Sequence, residues 1–114
     1  MSIEIIRDKI SKNKLSDIAK NQFGDFVKAV ADIEKEIMAI GGELHADEEV
    51  ILLEQGSEQA NLWGINLYPQ KSGDEWIEFN SMINIRPSQG NLSRGVESEE
   101  VRERIRKVVE KLVQ

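Results

Sequence analysis

The sequence predicts an α+β fold, a mostly antiparallel sheet with three helices packed on one side. Three observations carry this. Val101, Ile105, Val108, Val109, Leu112 and Val113 recur at helical spacing and make one apolar stripe. Residues 76–85 alternate instead: Ile77, Phe79, Ser81, Ile83 and Ile85 share one face, and Glu78, Asn80, Met82, Asn84 and Arg86 the other. Between the Gly41-Gly42 pair and Gly56 lies a second helix signal. Asp47 is its expected cap, Glu48 and Glu49 suit its first turn, and Gly56 suits its left-handed end.

The remaining elements follow in order. Ile3, Ile5 and Ile6 read as a short strand. Ser11 reads as the cap of a helix over about residues 12–23, with Leu15, Ile18, Ala19 and Phe23 at helical spacing and Gly24 as the stop. Residues 25–40 admit two readings. Phe26, Val30, Ile33, Ile37 and Ile40 are spaced alternately four and three apart, a helical stripe that periodicity narrowly favours. The rival is a hairpin with Val27, Ala29, Ala31 and Ile33 inward and Glu34-Lys35-Glu36 turning. The central helix is expected at about 46–55, covered on more than one side because Val50 to Leu53 are all apolar. Leu62 to Leu67 reads as a strand in which Gly64 marks a close backbone approach. The last helix begins near Glu97 or Ser98, with Glu100–Arg104 and Glu103–Lys107 as ion pairs.

Composition narrows the function classes. The chain has 114 residues, suited to one domain over 1–114. With 39% apolar and 32% charged residues it is globular. A net charge of −6 disfavours nucleic acid as a partner. There is no cysteine, so disulfides, thiolate metal sites and cysteine nucleophiles are excluded. The start of the chain does not read as a signal peptide, and no apolar run approaches a membrane span. A cytoplasmic protein with no membrane partner is the expectation.

The runs Gly-Gly-Glu-Leu-His-Ala-Asp (41–47), Leu-Trp-Gly-Ile-Asn-Leu-Tyr-Pro (62–69) and Ile-Asn-Ile-Arg-Pro-Ser-Gln-Gly-Asn (83–91) resemble a family of small bacterial proteins of unknown function. The resemblance spans nearly the whole chain and implies no activity. It implies more valine in 25–40 and a glycine near position 36, where this chain has Ala31 and Glu36, and it leans the reading toward the hairpin. The element order is then β-α-β-β-α-β-β-α.

Two polar segments are candidates for chemistry. Glu43, His45 and Asp47 alternate and, if extended, project to one side as a metal or acid–base set. The competing reading has His45 donating to a backbone carbonyl and Glu43 in solvent. Arg86, Ser88, Gln89, Asn91 and Arg94 lie in a loop that resembles an anion site. Glu97, Glu99 and Glu100 oppose a phosphate there, and Arg86 paired to a carboxylate is the plainer reading. Trp63, Tyr68 and Trp76 read as core or cross-strand contacts. Catalytic residues are not assigned, and no cofactor or metal is expected.

The function expected is a binding or interaction module, self-associating as a homodimer or taking a small polar ligand or a protein partner. The alternative is a small hydrolase or nuclease-like enzyme using His45 with Glu43 or Asp47. The strand at 62–67 is expected to run parallel to 37–42, the two joined by a helical crossover. His45 and Arg86 would then lie at opposite ends of the sheet.

Overall fold

The structure is a computed structural model and describes residues 3–114. Residues 25–40 form the hairpin: β2 (Val27–Asp32) and β3 (Ile37–Ile40) pair antiparallel, Asp32 opposite Ile37. Asp32 builds the turn. Its Oδ1 accepts from the amides of Glu34 and Lys35, each at 2.9 Å, and its Oδ2 from Ser57 Oγ at 2.6 Å. Glu36 closes the turn at φ +57°, a left-handed conformation that glycine adopts without strain. The helical spacing misleads because both faces of β2 and β3 are covered. Every residue from Ala29 to Ile33 is buried, so the strands carry no alternation to set against a period of four and three.

β1 (Glu4–Ile6) pairs with β3, and β4 (Leu62–Leu67) pairs with β2, both antiparallel. β5 (Ile77–Glu78) adds two residues beside Asn66 and Leu67. The sheet order is β1-β3-β2-β4-β5. β3 and β4 therefore run in the same direction, as expected, but with β2 between them.

The three helices are α1 (Lys12–Asn21), α2 (His45–Glu54) and α3 (Glu99–Leu112). Ser11 Oγ caps α1 at Lys14 N, and Ser98 Oγ caps α3 at Val101 N. The α+β class and the three helices hold, but the helices do not share one side. Leu15, Ala19, Ile105, Val109 and Leu112 of α1 and α3 pack on the face formed by Ala29, Met38 and Ile65. Leu52 of α2 packs on the other face, against Val30, Ala39 and Leu62. The chain passes from β3 to β4 over β2, and α2 covers the face it crosses.

Three smaller expectations are corrected. α2 begins at His45 behind Leu44, so Asp47 lies inside its first turn and does not cap it. The ion pairs on α3 are Glu99–Arg102, Glu99–Arg106 and Glu103–Arg106, while Arg104 reaches Glu34 at 3.2 Å. The strand expected over 76–85 ends at Glu78, and Met82–Asn84 forms a 3-10 turn instead. At the end of α2, Gly56 at φ +99° donates to Leu53 O and Ser57 to Leu52 O, the paired bonds of a glycine-terminated helix.

Two stability predictions follow from this packing. Ile105 is fully buried between α3 and the sheet, so Ile105→Asp places an unpaired charge in the core. It is expected to cost several kcal/mol, on the order of 3 or more, read as a collapsed or much lowered thermal midpoint. Glu36→Gly relieves the left-handed residue of the hairpin and is expected to raise the midpoint in the same melt.

Candidate functional site

The outer edge of β4 determines where the polar loops sit. β5 covers only Asn66 and Leu67, so the edge before them lacks a strand partner. Side chains of residues 81–91 take that role. Asn84 Oδ1 accepts from Gly64 N at 2.8 Å while Asn84 Nδ2 donates to Gly64 O at 2.9 Å, a carboxamide standing in for a peptide of the missing strand. Gly64 is required here: a Cβ would lie 2.5 Å from Ser81 Cβ. Ser81 Oγ accepts from Ile83 N and starts a 3-10 turn over Met82–Asn84, which draws the chain off the strand path.

Arg86 locks the same edge. It is buried, and its guanidinium donates to Leu62 O, to Gln59 O at 2.8 Å and, through Nε, to Ile83 O at 3.0 Å. It lies 4.7 Å over the Trp63 ring and 3.7 Å from Glu49. Asn91 Nδ2 donates to Asn84 O and Gly95 O, and its Oδ1 accepts from Glu97 N. The loop does bind an anion, and it is the chain's own: Glu97 Oε2 accepts from Leu92 N at 2.7 Å and Ser93 N at 3.0 Å. Gln89 reaches Ala60 O, and Ser88 is exposed. Of the residues in this segment, Arg86 and Asn91 hold the fold, and Arg94 alone turns to the cleft described next.

That cleft, about 400 Å³, opens between the start of α2, the strand edge and the 80–83 turn. His45, Asn66 and Ser81 form its buried polar part, and Lys28, Glu78 and Arg94 its charged rim. Glu78 is engaged, accepting from Asn66 Nδ2 at 2.8 Å and Tyr68 OH at 3.1 Å. Phe26, Leu44 and Met82 supply an apolar side.

His45 Nε2 lies 2.8 Å from Ile65 O. A carbonyl only accepts, so in the neutral ring Nε2 carries the proton and donates. Burial pushes the His45 pKa below its ordinary value. The bond to Ile65 opposes this, the charge of Lys28 adds to it, the Asn66 amide opposes it and Arg94 adds to it. Glu43 and Asp47 are both exposed, because the helix starts at His45 and turns them away from the ring. The expected Glu43–His45–Asp47 face is therefore not assembled. Among the described residues no group of three or more His, Asp or Glu is placed to hold a metal ion. Arg86 is not among the residues lining the His45 cleft, and the two side chains anchor to different points of β4, Leu62 and Ile65.

Glu48 lies in the first turn of α2 as expected, but its burial was not foreseen. Glu48 is fully buried, and its Oε2 accepts from Gly42 N at 2.8 Å. The bond ties the segment before α2 to its first turn; the helix's own first amides receive no side-chain cap, since Leu44 has no oxygen to offer. Gly42 fits it closely, since a Cβ there would lie 2.8 Å from Glu48 Cγ. Burial pushes the Glu48 pKa up to about 9, against the pull of the Gly42 hydrogen bond. Lys28 was missed as well, although it is the one charge inside the Val27–Ala31 run. Glu48 was hidden among Asp47 and Glu49.

These features define a small α+β domain with an antiparallel sheet covered on both faces and a polar cleft at the start of its middle helix. The chain belongs to a family of proteins of unknown function, DUF5674, which it matches over residues 4–112. No curated protein and no solved structure matches it.

The raised Glu48 pKa makes stability depend on pH. The unfolded carboxyl ionises near 4.5 and the folded one near 9. Its contribution is fully present below the unfolded value and is lost as pH rises toward the folded one, at up to about 1.4 kcal/mol per pH unit. Glu48→Gln keeps the acceptor for Gly42 N and removes the titration. Denaturant melts at pH 5, 7 and 8.5 are expected to show the parent losing stability relative to this variant as pH rises.

Proposed function

We propose that the protein is a small ligand-binding module and that its ligand occupies the His45 cleft. The observation that carries this is the pair of cations at the rim. Lys28 and Arg94 line the cleft, and among the described residues neither has an ion-pair partner. A hydrolase built on His45 is less well supported. The ring is anchored to Ile65 O, and neither Glu43 nor Asp47 orients it. Among the described residues no helix is long and apolar enough to cross a membrane. A cytoplasmic, bacterial setting is part of this reading, supported by the motif resemblance.

Self-association is the second reading. Val50 and Leu53, on the outer side of α2, are 51% and 38% exposed, which leaves apolar surface uncovered on a helix expected to be enclosed. Sedimentation of the parent and of Val50→Lys tests it. A dimer that the substitution dissociates supports this reading, and a monomeric parent ends it.

Native mass spectrometry of the protein taken from its producing cell tests the first reading. The expected result is an added small-molecule mass that Arg94→Gln diminishes. A bare chain, together with no change in thermal midpoint across a panel of small polar molecules, would remove it.

A further inference from the structure

We infer that the His45 cleft takes a small organic carboxylate, its acid group between Lys28 and Arg94 and its apolar part on Phe26, Leu44 and Met82. This rests on the ligand-binding reading above and adds the class of ligand. The charge balance at the rim comes first. Lys28 and Arg94 bring two positive charges, and Glu78, the one carboxylate there, is already bonded to Asn66 and Tyr68. A single added negative charge neutralises the rim, whereas a dianionic phosphate overshoots it. Arg94 is free to turn to such a group. Its backbone carbonyl is held by Ser81 N and Asn84 Nδ2, while its exposed guanidinium has no hydrogen-bonding partner among the described residues. Lys28 is steadied at the rim by the Phe23 ring, 5.0 Å from its Nζ.

The other wall calls for an apolar body. Leu44 and Met82, 56% and 64% exposed, both line the cleft. The volume of about 400 Å³ falls at the lower end of the range for small-molecule sites, about 300–1,000 Å³. His45 sits at the floor. It is held neutral by burial and by the same two cations, and Asn66 Oδ1 beside it has no hydrogen-bond donor. A carboxylate between the cations offsets their effect on the ring, so binding and protonation of His45 are coupled and each favours the other.

His45 is the only histidine, so its ring gives one unobstructed NMR titration. Benzoate is the probe, with benzamide as its neutral match and phenyl phosphate as the dianion, all at equal ionic strength. Benzoate is expected to raise the His45 titration midpoint, and benzamide to leave it in place. Arg94→Gln and Lys28→Gln, both at the rim and outside the core, are expected to weaken benzoate about tenfold or more. No response to benzoate at about 10 mM, tenfold above a millimolar Kd, overturns the assignment. So does an undiminished response in both variants. If benzamide acts equally, or phenyl phosphate binds more tightly, the carboxylate class falls and the ligand-binding reading stands. If none of the three moves the ring and the native mass is bare, both fall.

Discussion

The two-way bond between the Asn84 carboxamide and the Gly64 peptide joins the second half of the chain to the sheet. Without it the edge of β4 would leave peptide groups unpaired beneath a covering loop, a cost of about 1–3 kcal/mol for each buried group. Arg86 does the same for Leu62 O, and Asn91 ties the loop to itself. The cleft exists because of this arrangement. A continued strand would have brought backbone to Gly64; the side-chain pairing instead lets residues 80–83 stand above the sheet facing α2.

Much of the fold was legible because helices announce their ends. Ser11 and Ser98 cap where hydroxyls precede an apolar stripe, and Gly56 stops α2 where a left-handed residue is needed. The alternation over 76–85 misled because Ser81 and Asn84 fit a pattern of faces, while physically they are groups that bond backbone and end a strand. In 25–40 the hairpin reading holds, and only the periodicity pointed to a helix, since a strand buried on both faces has no polar side to report. The placement of α2 opposite α1 and α3 depends on the order of the strands, which local periodicity does not encode.

The candidate site was legible only at single points. His45 was identified, but its partners were expected from neighbours in sequence, and a helix start at His45 sends Glu43 and Asp47 into solvent. The groups beside it come from β2, β4 and the 80–94 segment, so long-range packing brings them together. The Arg86 loop had the composition of an anion site for a sound reason. Its amides do hold a carboxylate, that of Glu97, and the structure thereby fills the site from within.

The hidden Glu48 carboxyl also changes what folding is as a chemical reaction. At neutral pH the unfolded chain carries that group as a carboxylate, and the native protein holds it with its proton. Folding therefore draws a proton from the surrounding solution, because burial raises the pKa of this carboxyl. A calorimeter would record this as a buffer effect. The heat of unfolding in phosphate would differ from that in an amine buffer, because the released proton is taken up by groups with different enthalpies of ionisation.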